Sequence, residues 1–188
     1  MNIINVGYQS TNYYLIDIEG GKLLVDCGWP GTLSQFSAEL KRKGVSIQDI
    51  KYFLVTHFHP DHAGMTQELK NLSIRHILLD VQVEHVSQMT EFFKTKSHPY
   101  IQITTDDSIN LKVEESRKLL AEIGLQGEVI HTPGHSADSV TLILDEGFAF
   151  TGDLHQAFML PEDDKVSRTS WDKIYQYEIA RIFPGHGG

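Results

Sequence analysis

The sequence is poor in cysteine and has no long hydrophobic run, and both absences limit what the protein can be. Cys27 is the only cysteine among 188 residues, which excludes an internal disulfide framework and a zinc site built on cysteines. No stretch approaches the roughly 20 apolar residues that a membrane-spanning helix needs. Residues 1–6 lack the basic segment and the cleavage site of a signal peptide. We therefore expect a cytoplasmic protein without a membrane partner.

Positive charge is also scarce. The chain has 16 Lys and Arg against 25 Asp and Glu, which gives a formal net charge of −9. No long run of basic residues is visible along the sequence, and the negative balance argues against a broad nucleic-acid surface. We expect a small-molecule substrate and no nucleic-acid partner. The sequence gives no indication of the oligomeric state.

Histidine, in contrast, is abundant, with ten residues in the chain. Three of them fall in one short run, Thr56 to His62, which reads T-H-F-H-P-D-H. Residues 51–56 predict a buried strand, and the segment that follows the motif predicts a helix. Loops at strand ends often carry the functional groups of α/β proteins. A loop that is rich in histidine by chance is the alternative, but three imidazoles and a carboxylate at this spacing favour a metal site.

The spacing inside this run predicts two groups of metal ligands. His57 and His59 are two residues apart, so an extended chain directs both side chains to the same side. Asp61 and His62 follow the turn at Pro60, which suits the first turn of a helix. They can therefore face a different point in space. One short segment can supply ligands to two adjacent metal ions.

The remaining pattern of apolar residues and turns predicts one domain, residues 1–188, that mixes strands and helices. Predicted strands cover residues 2–6, 12–18, 22–26, 51–56, 74–79, 127–131, 139–144, 148–151 and 179–183. Predicted helices cover residues 32–43, 62–71, 81–94, 113–123 and 170–176. The polar segment 95–112 is predicted to be a lid or a long loop with a short strand at 100–104.

Three more polar loops follow predicted strands in the second half of the chain. They read T-P-G-H-S around His135, T-G-D at Asp153 and P-G-H-G around His186. A glycine beside each of these residues lets the backbone turn sharply and approach closely. Either histidine alone could be an ordinary loop residue, but their common setting at strand ends predicts that they join the first motif.

Three further residues are weaker candidates. His155 follows Asp153 by two residues and would line the substrate pocket, with plain exposure as the alternative. Arg168 would bind an anionic group of the substrate, with a solvated loop arginine as the alternative. Asp26, at the end of a predicted strand, is either an acceptor beside the metal site or a turn-capping residue.

With the four motifs in this order, the chain resembles the metallo-β-lactamase superfamily of hydrolases. The resemblance implies an α/β (α+β) fold, a four-layer αβ/βα sandwich of two mixed sheets with helices outside and the site at one edge of the sheets. It also implies a division of the ligands between two metals. The first metal would be bound by His57, His59 and His135, the second by Asp61, His62 and His186, and Asp153 would bridge the two.

The resemblance implies an enzyme, a binuclear metal hydrolase. The expected cofactors are two divalent ions, Zn²⁺ first with Mn²⁺ or Fe²⁺ as alternatives. At a separation of about 3.5–4 Å they would hold a hydroxide between them. Asp61 and Asp153, the expected catalytic residues, would fix this hydroxide for attack on an ester, thioester, lactone or phosphodiester bond.

Other functions remain open at this point. A mononuclear iron dioxygenase of the persulfide-dioxygenase type would use only the site of His57, His59 and His135. His186 lies two residues from the end of the sequence, so we expect a second metal to be held weakly. A nuclease is disfavoured by the acidic balance of charge. A metal-binding protein without catalytic activity is the remaining alternative.

Overall fold

The computed structural model describes residues 2–187, and its layers follow from the alternation of apolar side chains along the strands. Successive residues of a strand face opposite sides of the sheet. Leu15 packs in one core cluster, whereas the next residue, Ile16, packs in another. Phe53 and Leu54 are divided in the same way. Both faces of the sheet that contains them are therefore buried, which requires a packed layer on each side.

The first sheet has six strands in the order of the chain. Strands β1 to β3 are antiparallel, and β3 to β6 are parallel to their neighbours. The strands are β1 (Ile3–Asn5), β2 (Tyr14–Ile18), β3 (Gly21–Val25), β4 (Ile50–Leu54), β5 (Arg75–Leu79) and β6 (Ile109–Leu111).

The second sheet has four strands in the order β10-β9-β8-β7. The first three along the chain are antiparallel, and β10 pairs in parallel with β9. The strands are β7 (Gly127–His131), β8 (Val140–Leu144), β9 (Phe148–Gly152) and β10 (Arg181–Pro184).

Helices flank the two sheets. They are α1 (Leu33–Arg42), α2 (Pro60–Ala63), α3 (Thr66–Asn71), α4 (Val86–Phe93), α5 (Ser116–Glu122) and α6 (Lys165–Ile174). Phe36, Leu69 and Met89 place α1, α3 and α4 against the first sheet, and Trp171 and Ile174 place α6 against the second. A shared cluster fills the space between the sheets. This arrangement confirms the predicted αβ/βα sandwich. No helix among residues 2–187 is long and apolar enough to cross a membrane.

Three predicted elements differ from the structure. The strand predicted at 100–104 is wrong, because the backbone of Thr104 bonds to the side chains of Gln67 and Lys70 instead of to a strand. The short strand of this segment is β6. The helix predicted at 62–71 is interrupted where the amide of Met65 donates to Gly28 O over 3.0 Å. The helix predicted at 170–176 begins earlier, because Asp164 caps it by accepting from the amide of Ser167 at 3.0 Å.

Candidate metal centre

The structure brings the seven predicted ligands together at one edge of the sandwich. The loop after β4 carries four of them, and the ends of β7, β9 and β10 lead to the other three. Carboxyl ends of neighbouring strands meet at one edge of a sheet, so residues far apart in sequence become neighbours there. The seven side chains are His57, His59, Asp61, His62, His135, Asp153 and His186.

The first group contains three imidazoles. The possible ligand atoms of His57, His59 and His135 lie within 4.8 Å of one another. His135 Nε2 and His59 Nδ1 are 3.0 Å apart. His57 is fully buried, and its Nε2 atom has no hydrogen-bond partner. Three ring nitrogens that face one another in this way form one side of a tetrahedral nitrogen site.

The second group combines one carboxylate with two imidazoles. Asp61 Oδ2 lies 3.5 Å from His62 Nε2 and 3.2 Å from His186 Nε2. Asp61 also accepts a hydrogen bond from Thr11 Oγ1 at 3.1 Å, which fixes the orientation of the carboxylate. Sequence reasoning missed Thr11, since no local pattern links it to a motif 50 residues away.

Asp153 lies between the two groups. Its Oδ1 atom is 3.2 Å from His62 Nε2, and its Oδ2 atom is 3.3 Å from His186 Nε2 and 3.6 Å from His135 Nε2. The carboxylate therefore contacts members of both groups. This is the position that a ligand shared by two ions requires.

Several buried polar atoms of the centre lack hydrogen-bond partners in the described part of the chain, and this shows whether the residues suit a metal. Within residues 2–187, four buried side-chain atoms lack a hydrogen-bond partner, and three of them are His57 Nε2, His62 Nε2 and Asp153 Oδ1. These three residues form one of the clusters whose ligand atoms lie within 4.8 Å of one another. An unpaired buried polar atom costs about 1–3 kcal/mol. Metal ions bound in the two ligand groups would coordinate these atoms, so the residues fit a metal site.

Asp26 orients two of the imidazoles from behind. Its carboxylate accepts from His62 Nδ1 at 2.8 Å and from the hydroxyl of Thr56 at 2.9 Å. The Thr56 oxygen lies 3.1 Å from His57 Nδ1. With Nδ1 as the donor in both rings, each Nε2 lone pair faces the centre. Of the two interpretations of Asp26, the structure supports the acceptor beside the metal site.

His186 is fixed by the segment that precedes β2. Its Nδ1 atom lies 2.7 Å from Ser10 O, and Thr11 forms a backbone bridge with His186. The amide of Asn12 donates to Gly185 O at 2.7 Å. The expectation of a poorly held His186 therefore finds no support in these contacts, because three consecutive residues anchor it.

Gly185 permits the close approach of the last motif. A Cβ atom at this position would lie 2.4 Å from Asp153 Oδ1 and 2.7 Å from His62 Cε1. Gly152 has a φ of +53°, and a Cβ atom there would lie 2.4 Å from Thr56 Oγ1. Both glycines are therefore required by the packing of the ligand loops, as the motifs indicated.

Burial favours the neutral imidazole form at two of the ligands, His57 and His135. Burial, followed by the neighbouring imidazoles, holds the pKa of His57 well below its usual range. Burial also lowers the pKa of His135. Burial alone would lower the pKa of His62, but the carboxylates of Asp26 and Asp153 outweigh it and raise the pKa to about 10. A metal ion that binds His62 therefore has to displace a proton.

The other two weaker candidates, His155 and Arg168, lie in different surroundings. His155 is exposed and lines a cleft of about 240 Å³ together with His135, Asp153 and His186, as expected of a pocket residue. Arg168 lies in α6 and not in a loop. Its guanidinium donates to Leu160 O at 2.9 Å and to Pro161 O at 3.1 Å. Two of its donor nitrogens thus bind backbone oxygens, and its role as a contact for an anionic substrate stays a prediction.

Asp138 is a buried residue that sequence reasoning missed. Its carboxylate accepts from the amide of Phe58 at 2.7 Å and from the hydroxyl of Ser136 at 2.7 Å. It thus joins the loop of His57 and His59 to the loop of His135. The pattern S-x-D at residues 136–138 is visible in the sequence. The second partner of Asp138, the amide of Phe58, lies 80 residues away and is not.

Sequence comparison agrees with this geometry. The model of the metallo-beta-lactamase superfamily matches residues 6–186. The beta-lactamase-like protein 2 homolog of Drosophila melanogaster is 30 % identical, and the alignment covers 95 % of this chain and 59 % of the fly protein. A probable metallo-hydrolase of Methanocaldococcus jannaschii is 29 % identical over 96 % of this chain and 89 % of its own length. The chain thus spans less than two thirds of the fly protein.

Solved structures share the fold. A metallo-beta-lactamase of Cronobacter sakazakii superposes with a TM-score of 0.75 at 21 % identity, covering 98 % of this chain and 78 % of its own. A metallo-beta-lactamase of Legionella gormanii superposes with a TM-score of 0.75 at 20 % identity. The superposition covers 98 % of this chain and 76 % of the Legionella chain. With the four motifs on four strand ends and a family match over residues 6–186, the chain belongs to the metallo-β-lactamase superfamily.

Proposed function

We propose that this chain is a hydrolase that cleaves an ester, thioester, lactone or phosphodiester bond in a small molecule. It uses two divalent metal ions, and Zn²⁺ is the expected metal. One observation carries the proposal. Three residues with buried polar atoms that lack hydrogen-bond partners place their ligand atoms within 4.8 Å of one another, within a set of seven side chains suited to metal binding. Membership of a metal-dependent superfamily supports it.

The proposed ligands divide as the two groups do. His57, His59 and His135 would hold one ion, Asp61, His62 and His186 the other, and Asp153 would contact both. When bound, such ions supply Lewis acidity and lower the pKa of coordinated water to about 7.

The chain's own residues prepare the site for attack by water. Asp61 keeps a fixed orientation through Thr11 and can hold the attacking water by accepting its proton at a carboxylate oxygen. Asp153 can orient the same water from the opposite side, since it is between the two groups. His155, at the mouth of the cleft, can donate to the leaving group from its imidazole. No serine or cysteine nucleophile is needed, and Cys27 is fully buried and does not line the cleft.

The size and charge of the site support a small-molecule substrate. The cleft beside the ligands has a volume of about 240 Å³. The net charge of −9 opposes the approach of a nucleic acid. Both features favour a hydrolase of small molecules over a nuclease.

The completeness of the second ligand group supports two ions over one. A mononuclear iron dioxygenase would need only the three imidazoles of the first group. Here the second group is assembled as well, and Ser10 and Thr11 hold His186 and Asp61 in place. We therefore favour the hydrolase over the dioxygenase. Oxygen uptake by iron-loaded protein is the assay that tests the dioxygenase.

The test is turnover by zinc-reconstituted protein on a panel of esters, thioesters, lactones and phosphodiesters. We expect hydrolysis of at least one class, and its loss in both His59→Ala and Asp153→Ala. His98→Ala, at an exposed histidine outside the centre, is the matched control and should retain full activity. Retained turnover in either ligand variant would contradict the proposal.

A further inference from the structure

A second cavity lies beside the metal cleft, on the outer face of the second sheet. It is a groove of about 430 Å³ between α6 and the edge strand β10. Its main side chains are Leu154, Phe158, Trp171, Tyr175 and Ile182. Among the described residues, those that line the groove carry no charge. This volume lies within the range of about 300–1,000 Å³ typical of small-molecule sites.

The groove and the cleft share a wall. Leu154, Gln156 and Pro184 line both cavities. Leu154 directly follows Asp153, and Pro184 is two residues before His186. A molecule whose reacting bond lies against Asp153 can therefore extend past Leu154 into the groove.

Helix α6 fixes the segment that separates the two cavities. Trp171 Nε1 donates to His155 O at 2.7 Å, and the guanidinium of Arg168 binds Leu160 O and Pro161 O. The short 3₁₀ turn Ala157–Met159 between these anchors has Met159 in the cleft wall and Phe158 in the groove wall. The groove is thus a formed feature beside the cleft.

Apolar side chains remain open to solvent along the groove. Phe158 is 83 % exposed, Tyr175 is 59 % exposed and Ile182 is 38 % exposed. Covering such surface with an apolar group is favourable, because it removes that surface from water. From this chemistry and the shared wall we infer that the groove between α6 and β10 binds an apolar alkyl or aryl group of the substrate.

The inference rests on the proposed hydrolase function and narrows its substrate class. The preferred substrate combines a hydrolysable ester, thioester or lactone group with an apolar chain several carbons long. The polar end lies in the cleft, which contains the imidazoles and carboxylates, and the apolar end lies over Leu154 and Trp171. Small substrates without such a chain are hydrolysed less efficiently.

The first experiment measures kcat/KM of the zinc-reconstituted protein on p-nitrophenyl acetate, butyrate, hexanoate and octanoate, and on γ-lactones with alkyl chains of the same lengths. We expect kcat/KM to rise about fourfold per methylene until the groove is filled. Ile182→Asp and Tyr175→Asp should flatten this dependence and leave the acetate value within about twofold of wild type. Val166→Asp, an equally exposed apolar residue of α6 outside the groove, is the control and should keep the slope.

The second experiment measures binding without turnover. In the Trp29→Phe background, Trp171 is the remaining tryptophan, and its fluorescence reports 1-butanol, 1-hexanol and 1-octanol binding to the protein as purified. We expect affinity to increase with chain length and to fall in Ile182→Asp. Failure of the proposed function alone would leave this binding intact while no ester or lactone is hydrolysed.

Three outcomes would overturn the inference. The first is turnover that does not depend on chain length. The second is the absence of alcohol binding to the groove. The third is a dimer in solution that Ile182→Asp dissociates, because a second copy of the chain would then cover the groove.

Discussion

At the residue scale, the centre depends on which ring nitrogen of each imidazole faces inward. His62 and His186 each use Nδ1 to bind a fixed oxygen, Asp26 Oδ2 and Ser10 O respectively. His57 uses Nδ1 toward Thr56, whose hydroxyl in turn donates to Asp26. A histidine whose outer nitrogen is held in this way presents the other lone pair without rotating. Asp26 therefore serves both ligand groups, although it belongs to neither.

Asp26→Asn tests this role. The amide keeps the shape of the side chain, but its NH₂ group cannot accept from both His62 and Thr56. We expect the affinity for the second metal ion to fall by about 10–100-fold, as is usual when such a supporting partner is changed. Competition with a chromophoric chelator measures the affinity. Asp17→Asn, at an exposed carboxylate of β2, is the control, and equal affinities in the two variants would show that Asp26 does not orient the ligands.

His76 predicts a pH dependence that is independent of the metal. The ring is buried, stacks on Phe53 with centroids 4.7 Å apart, and has an Nε2 atom without a partner. Burial, reinforced by the positive charge of Lys70, lowers the pKa of His76 from 6.5 to about 3. Since the folded-state pKa lies below the unfolded one, the stabilisation is present above pH 6.5 and is lost as the pH falls towards 3.

His76→Phe removes this titration and keeps an aromatic ring against Phe53. Between pH 6.5 and 4.5, the free energy of unfolding of the wild type should fall relative to the variant by about 2–3 kcal/mol. Urea unfolding of chelator-treated protein at several pH values measures the difference. Parallel curves for the two proteins would contradict the assignment of a neutral, buried His76.

At the element scale, hydrogen bonds between elements distant in sequence hold the ligand loops in place. Asp138 joins the loop after β4 to the loop after β7 through Phe58 and Ser136. Residues 10–12 join the N-terminal segment to the loop after β10. Each of these contacts connects two elements that are distant in sequence. The positions of the loops are therefore a property of the assembled sandwich.

Asp138→Asn tests the link between the first two loops. An amide in this buried position cannot accept as strongly from both the Phe58 amide and the Ser136 hydroxyl, so one buried group loses its partner. We expect the free energy of unfolding to fall by about 1–3 kcal/mol and the affinity of the first metal ion to fall with it. Asp145→Asn, at an exposed carboxylate of the β8–β9 hairpin, provides the comparison. A change in stability without a change in metal affinity would show that Asp138 does not position the ligand loops.

Most of the strands and loops that contain the candidate ligands could be predicted from the sequence. A polar motif at the end of an apolar strand is a local signal, and His57, His135, Asp153 and His186 all stand in that setting. Asp26 was predicted only as one of two alternatives, and the roles of Thr11 and Asp138 were not predicted, because all three bind partners that only the assembled fold brings near. The prediction for 100–104 was wrong for the same reason, since side chains of α3 bind its backbone.

At the scale of the whole molecule, each of the two candidate ligand groups draws side chains from both sheets. The first sheet supplies the loop with His57, His59, Asp61 and His62, whereas His135, Asp153 and His186 follow strands of the second sheet. Each of the two predicted ion sites therefore joins the two halves of the sandwich across their shared core. The apolar groove lies on the outer face of the second sheet, beside the same edge. The fold thus places the reacting centre and an apolar surface next to each other.

The proposed function requires that two metal ions bind, one in each ligand group. The most direct measurement is the metal content of protein purified without chelator or nickel affinity resin and then reconstituted with zinc, manganese or iron, determined by elemental analysis. We predict two divalent ions per chain in the wild type and about one in His186→Ala, which removes a ligand of the second group only. His98→Ala should retain two. A single iron per chain in the wild type, unchanged in His186→Ala, or no metal after reconstitution would contradict the account.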